Sequence, residues 1–138
     1  MIARTFRELA LIGSLALIPA LVSGFTQLKW RKEEPLLANE VRLATAQTWG
    51  DKVLWVDVRD EAAFESGHIP GSLRLTAAEW DAMVAPFLDQ WDPEKSTIVY
   101  GKGGSDDDAH EMAERLAKEL QLDGVFVLKG GWEAWQQK

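Results

Sequence analysis

The chain contains no cysteine among its 138 residues. This absence excludes disulfides, thiolate nucleophiles and cysteine-ligated metal sites, and it gives no indication of the redox compartment. Internal repeats and low-complexity tracts are also absent, and histidine is limited to His68 and His110. The length is sufficient for one domain with a hydrophobic core. The function therefore has to be sought in a single domain without thiol chemistry.

Basic residues are scarce after the N-terminal segment. Residues 1–32 carry five basic side chains and one acidic side chain, so the net charge of −7 for the whole chain leaves −11 for residues 33–138. A domain of this charge repels nucleic acid and anionic small molecules at long range. Such a domain favours a basic protein partner or a cation. The alternative is that the acidic surface only keeps the domain soluble.

Charged residues are missing altogether from residues 9–28, which read LALIGSLALIPALVSGFTQL. About 20 apolar residues suffice for one helix to cross a bilayer. The run is flanked by side chains typical of a membrane interface, namely Arg7 before it and Lys29, Trp30, Arg31 and Lys32 after it. We expect a single-pass transmembrane helix over 9–28, between a basic tail over 1–8 and a linker over 29–38.

A cleavable signal peptide is the alternative interpretation of this segment. Val22-Ser23-Gly24 has the small residues of a cleavage site, but the apolar run exceeds the roughly 7–15 residues of a signal sequence. Basic residues on both sides leave the orientation nearly balanced. We expect the short tail to stay in the cytoplasm and the acidic domain to lie on the extracytoplasmic side.

Apolar runs and amphipathic segments alternate along residues 39–138. Four runs predict strands of a parallel sheet, at 53–58, 72–75, 97–100 and 125–128. Helices are predicted between and beside them, over 40–48 with Asn39 as cap, around 60–64, from 76 or 77 with a bend at Pro86, over 107–121, and after Gly130. The alternation predicts an α/β fold with helices on both faces of the sheet. Functional sites of such folds lie beyond the carboxyl ends of the strands.

A glycine-rich loop stands at that edge of the predicted sheet. It consists of Gly101, Lys102, Gly103, Gly104, Ser105 and Asp106, and a helix is predicted to begin directly after it. Backbone N–H groups of such loops bind anions. This loop carries no strong nucleophile, and Asp106, Asp107 and Asp108 stand at the helix start. We expect these carboxylates to satisfy the free N–H groups of the helix themselves.

Three motifs in this order resemble the rhodanese-like domain family. They are Asp57-Val58-Arg59 followed by Gly67-His68-Ile69-Pro70-Gly71-Ser72, the strand and loop at Val99-Tyr100-Gly101, and Gly130-Gly131-Trp132-Glu133-Ala134-Trp135. The resemblance covers about residues 36–138. It implies that Asp57, Arg59 and His68 are architectural, forming a salt bridge at a strand end and a turn.

The resemblance also implies what this chain has lost. Active members of the family carry a cysteine as the first residue of the loop, and that cysteine accepts sulfur as a persulfide. Gly101 occupies the matching position here, and Lys102 is a relic of the basic side chains that hold an anionic substrate. Residues 101–106 are therefore interpreted as a vestigial active-site loop without a catalytic residue or a cofactor.

These observations predict a membrane-tethered, catalytically inactive rhodanese-like module. We expect it to act as a binding or structural subunit, with other membrane subunits or a basic protein as partners and no nucleic acid. Cation sensing is an alternative, in which Asp106, Asp107, Asp108 and Glu111 bind Ca²⁺ or Mg²⁺ near His110. Consecutive side chains at a helix start point in different directions, which favours helix capping over a metal site.

An enzyme is the third interpretation, either a residual sulfurtransferase or an enzyme with other chemistry. Ser105 is the one hydroxyl side chain of the loop, and no base is placed by the sequence to activate it. His110 is predicted to lie on the outer side of the helix, facing solvent rather than Ser105.

Overall fold

Five strands and five helices make up the domain in a computed structural model, which describes residues 33–138. The strands are β1 (Glu40–Val41), β2 (Val53–Asp57), β3 (Leu73–Arg74), β4 (Ser96–Tyr100) and β5 (Val125–Leu128). The helices are α1 (Leu43–Thr48), α2 (Glu61–Ser66), α3 (Trp80–Gln90), α4 (Asp107–Glu119) and α5 (Gly131–Gln136).

The sheet has the strand order β1-β5-β4-β2-β3, and every pair of neighbours is parallel. The central pairing places Val56 beside Val99, and Val99 beside Val127. Parallel neighbours need crossover connections, which the helices supply. The predicted α/β fold with a parallel sheet is confirmed.

Successive residues of the central strand face opposite sides of the sheet. Val99 packs in a cluster with Trp80 and Phe87 of α3 and with Met112 of α4. Its neighbour Ile98 packs on the other side, in the cluster that includes Ala46 of α1 and is flanked by two tryptophans of α5, Trp132 and Trp135. Helices therefore cover both faces, as the sequence predicts.

Two predicted helix starts are wrong. The segment predicted as a helix from residue 40 begins instead with β1, because the carbonyls of Asn39 and Val41 accept hydrogen bonds from the N–H groups of Val127 and Lys129. The helix predicted from residue 76 or 77 begins at Trp80, and Pro86 lies inside it. A non-local strand pairing in the first case overrides the local helix pattern.

The predicted transmembrane helix over 9–28 lies outside the described residues, as do its flanks and the candidate cleavage site. Among residues 33–138, no helix combines the length and hydropathy needed to cross a membrane. Residues 33–37, in the predicted linker, adopt neither helix nor strand, and the compact unit of the domain begins at Leu36.

Candidate functional site

A buried ion pair fixes the carboxyl end of β2. The Asp57 side chain is fully buried, and Arg59 Nη2 lies 2.7 Å from its Oδ2. The same Nη2 donates to the carbonyl of Gly67 over 2.7 Å, and the guanidinium lies 4.7 Å from the Trp132 ring centre. Burial acts to lower the pKa of Arg59, but the hydrogen bonds and charge of Asp57 outweigh it and raise that pKa. The strand-end salt bridge implied by the resemblance is present.

The turn after α2 is tied to the end of β4 through a phenol. The N–H of Ile69 donates to the Tyr100 hydroxyl over 3.1 Å, and the Ser72 hydroxyl lies 3.0 Å from the same oxygen. Burial raises the pKa of Tyr100 to about 12, although the bonds from Ser72 and Ile69 oppose that rise. His68 stands beside this turn and stacks on Phe64 at 3.8 Å. These contacts give His68 an architectural role.

The loop at 101–106 is fastened to the start of α5. The N–H of Trp132 donates to the Gly101 carbonyl over 2.8 Å, and the N–H of Glu133 donates to the Lys102 carbonyl over 3.1 Å. Close approach requires Gly131 at this junction, since a Cβ there would lie 2.5 Å from the Gly101 oxygen, and the φ of Gly131 is +51°. The glycine-glycine turn thus shapes the loop.

Gly101 itself is under no such constraint. Its φ lies outside the left-handed region, and a Cβ added to it would meet Val58 Cγ2 at 3.6 Å, an ordinary van der Waals distance. Gly103 differs, because a Cβ there would lie 2.6 Å from the Gly130 oxygen at a φ of +111°. There is room for a Cβ at Gly101, so neither the backbone conformation nor the contact of that atom demands glycine at this position.

Asp106 does not cap α4, and this part of the helix-capping prediction is wrong. Its backbone has φ −101° and ψ 20° instead of the extended conformation usual for a capping residue. Its Oδ2 instead accepts a hydrogen bond from the N–H of Gly130 over 3.1 Å. The residue is 8% exposed, and its Oδ1 has no hydrogen-bond partner within the described part of the chain. The carboxylate therefore joins the loop to the turn before α5.

The remaining acidic residues at the helix start do not converge. Asp107 and Asp108 are exposed, and the N–H of Asp107 donates to the Ser105 hydroxyl over 3.3 Å. Across residues 33–138, no group of three or more histidine, aspartate or glutamate side chains is arranged to hold a metal ion. The structure does not bring Asp106, Asp107, Asp108 and Glu111 together as a cation site.

His110 points toward a partner that the sequence pattern did not reveal. Its Nε2 lies 2.9 Å from Glu40 Oε1, and the histidine side chain is only 25% exposed, so the prediction that it faces solvent is wrong. Lys129 Nζ lies 3.8 Å from the same carboxylate, and the N–H of Leu37 donates to Oε2 over 2.8 Å. Burial acts to raise the pKa of Glu40, but these partners outweigh it and lower that pKa. His110 is therefore not directed toward Ser105 as a base.

Comparisons with known proteins agree with this architecture. Residues 40–138 match the rhodanese-like domain. Thiosulfate sulfurtransferase GlpE of Shewanella oneidensis is 30% identical over 82 residues, which cover 59% of this chain and 74% of that protein. The GlpE of Pseudomonas syringae is 32% identical over 81 residues, which cover 59% of this chain and 70% of that protein. The crystal structure of the BH2092 protein from Bacillus halodurans has a TM-score of 0.61 at 24% identity, covering 86% of this chain and 81% of that one. The chain belongs to the rhodanese-like domain family.

Proposed function

We propose that this chain is a membrane-tethered rhodanese-like module that transfers no sulfur and serves as a binding or structural subunit of a membrane protein complex. The observation that carries the proposal is Gly101, which stands where active members of the family have their cysteine. The chain has no cysteine elsewhere. A glycine has no atom that can attack a sulfur donor or hold a persulfide.

The ordered scaffold around that position supports a role for the domain other than catalysis. Trp132 and Glu133 hold the loop through their N–H groups, and Asp57 pairs with Arg59. A Cβ fits at Gly101, so the architecture does not require glycine there, and glycine at this position affects the chemistry of the loop instead. The parts of the chain left for function are the surface of the domain and the proposed membrane anchor.

The tether is proposed from residues 9–28 and their basic and aromatic flanks. The full chain is expected to stay with the membrane fraction through alkaline carbonate washing, whereas a variant lacking residues 1–32 is released. Protease added to intact spheroplasts should cleave the acidic domain, because we place it on the extracytoplasmic side. Release of the full chain by carbonate would contradict the tether, and protection from protease would contradict the orientation.

Sulfur transfer is the second candidate function, and it is favoured by the names of the curated relatives, which are thiosulfate sulfurtransferases. It would require a nucleophile other than cysteine. Ser105 is exposed, but its hydroxyl accepts from the N–H of Asp107, and His110 is bonded to Glu40 instead. Among the described residues, these contacts place no base beside Ser105 to activate it. We therefore prefer the inactive module.

Capture of partners from solubilised membranes tests the binding role. An affinity-tagged full-length chain is expected to retain at least one other membrane subunit or basic protein in stoichiometric amounts. A tagged chain lacking residues 33–138 is the control for retention by the apolar segment alone. Recovery of the full chain by itself, as a monomer, would contradict a subunit role.

A further inference from the structure

A groove of about 450 Å³ lies beside α4, and no residue of the loop at 101–106 lines it. One wall is a stripe of α4 in which Asp108, Glu111, Met112 and Arg115 recur at helical spacing. The opposite wall is the segment before α3, ending at Glu79. The groove therefore opens beyond the carboxyl ends of β2 and β3, where ligands bind in open parallel sheets.

Carboxylates outnumber cations in this groove. Four acidic side chains line it, Asp60, Glu79, Asp108 and Glu111, together with two arginines, Arg74 and Arg115. Both arginines are already engaged, because Arg74 Nη2 lies 2.8 Å from Glu79 Oε2 and Arg115 Nε lies 3.1 Å from Glu119 Oε2. The guanidinium of Arg115 also lies 3.9 Å from the Trp80 ring centre. The groove therefore keeps an excess of negative charge.

Asp60, Asp108 and Glu111 carry that excess, and of these Asp60 already caps α2, where its Oδ1 accepts from the N–H of Ala63. Glu111 is spaced to pair with Arg115, but Arg115 turns to Glu119 on the next turn of the helix. Neither Asp108 nor Glu111 has an ion-pair partner among residues 33–138, and both are exposed. Asp108 and Glu111 are three residues apart, so they lie on the same side of the helix, and both line the groove.

Apolar side chains also line the groove. They include Val58, Ala77 and Met112, of which Met112 is 3% exposed. An arginine side chain suits such a surface, because its methylene groups pack on apolar atoms while its guanidinium reaches carboxylates in a planar, two-pronged arrangement. The surrounding domain, with a net charge of −11 over residues 33–138 of a chain that totals −7, draws basic segments toward it.

We propose that this groove binds an arginine-bearing segment of a basic protein partner, with the guanidinium between Asp108 and Glu111 and its methylene groups over Met112. This inference rests on the proposed function, since it assigns a surface and a partner class to the binding module. The chain then recognises its partner next to the vestigial loop and without using it.

Methionine methyl signals of the full-length chain in detergent test this inference at the groove itself. The chain has three methionines, Met1, Met83 and Met112, and of the latter two only Met112 lines the groove. The probe is a glycine-spaced peptide with three arginines, and its counterpart with citrulline removes the charge at constant shape. We expect the arginine peptide to shift the Met112 signal, leave the Met83 signal in place, and bind at least tenfold more tightly than the citrulline peptide.

Matched charge variants separate the groove from the overall field of the domain. The double variant Asp108→Asn and Glu111→Gln removes two negative charges inside the groove, and Glu65→Gln with Asp123→Asn removes two from exposed positions outside it. The groove variant should weaken binding at least tenfold and the outer variant less than threefold. Glu111→Gln alone, which leaves the first turn of α4 unchanged, should weaken binding at least threefold.

Equal weakening by the two double variants, or binding that leaves the Met112 signal unmoved, would overturn the groove proposal. Neither result would affect the proposed function. Sulfur transfer by the unmodified chain would overturn that function regardless of peptide binding.

Discussion

The N–H of Trp132 donates a hydrogen bond to the carbonyl oxygen of Gly101 over 2.8 Å. This contact joins the first residue of the loop after β4 to the first turn of α5. Gly131 lies beside it with a φ of +51° and no room for a Cβ. The shape of the loop therefore depends on the turn before α5 and not on a side chain at Gly101.

Alanine at Gly131 should disrupt this junction. We expect Gly131→Ala to lower the free energy of unfolding by about 2–4 kcal/mol, because the Cβ adds a clash with the Gly101 oxygen to the conformational penalty. Gly124→Ala is the control, since Gly124 has a φ of +68° but open space around it. That control should cost about 1 kcal/mol. Urea unfolding measures both, and equal losses would show that the close approach is unimportant.

Cysteine at Gly101 should be tolerated by the fold. A Cβ there meets Val58 at an ordinary 3.6 Å. We therefore expect the free energy of unfolding of Gly101→Cys to lie within about 1 kcal/mol of that of the unmodified chain. Gly103→Cys is the matched variant, because its Cβ would lie 2.6 Å from the Gly130 oxygen. It should cost at least about 2 kcal/mol. Thermal unfolding under reducing conditions checks the pair, and a large loss at Gly101 would mean that the glycine is structural.

Ionisation of Tyr100 should destabilise the domain at alkaline pH. Burial raises the pKa of this phenol to about 12 in the folded chain, against 10.0 as its ordinary value. A raised pKa favours the protonated form in the folded state, so this contribution is fully present below pH 10 and is lost as the pH rises toward 12. The loss amounts to about 2–3 kcal/mol.

Absorbance of the phenolate measures that titration directly, because the chain has one tyrosine. The folded chain should titrate near pH 12 and the urea-unfolded chain near pH 10. Tyr100→Phe should remove this alkaline component of the stability. A folded-state midpoint near pH 10 would contradict the buried, hydrogen-bonded phenol.

Glu40 should make the domain sensitive to acid. Its pKa is lowered from 4.5, because the bonds from Leu37 and His110 and the charge of Lys129 outweigh the effect of burial. Because folding lowers this pKa, the ionised Glu40 side chain stabilises the folded domain above about pH 4.5. That stabilisation is lost as the pH falls through the folded-state pKa. Glu40→Gln should therefore be about 1–2 kcal/mol less stable than the unmodified chain at neutral pH, and the difference should shrink in acid.

Denaturant unfolding between neutral and strongly acidic pH checks this expectation. Glu65→Gln serves as the control, because Glu65 is exposed and should give a small difference at every pH. A Glu40→Gln difference that stays constant with pH would show that the ion pairs of Glu40 contribute nothing to its effect.

Local sequence patterns predict the central part of this fold. The apolar runs of β2, β4 and β5 identify buried parallel strands, and the boundaries of β5 agree with the structure at both ends. The edge strand β1 was not predictable, since it has only two residues and exists through its pairing with β5. The family motifs locate Gly101 and the Asp57–Arg59 pair, because those features depend on neighbours close in sequence.

Long-range contacts explain what the sequence did not predict at the site. Asp106 turns to an N–H group 24 residues further along the chain, and His110 meets a carboxylate 70 residues before it. The groove beside α4 combines a helix stripe with the segment before α3. Neither these contacts nor the groove follows from helical spacing, because each depends on how separate elements pack together.

Sulfur transfer from thiosulfate to cyanide by the full-length chain tests the central claim most directly, with GlpE of Shewanella oneidensis as the positive control under identical conditions. We predict no thiocyanate above the buffer blank, because the loop begins at Gly101 and the chain holds no thiol. Thiocyanate formation that scales with the amount of this chain would contradict the account.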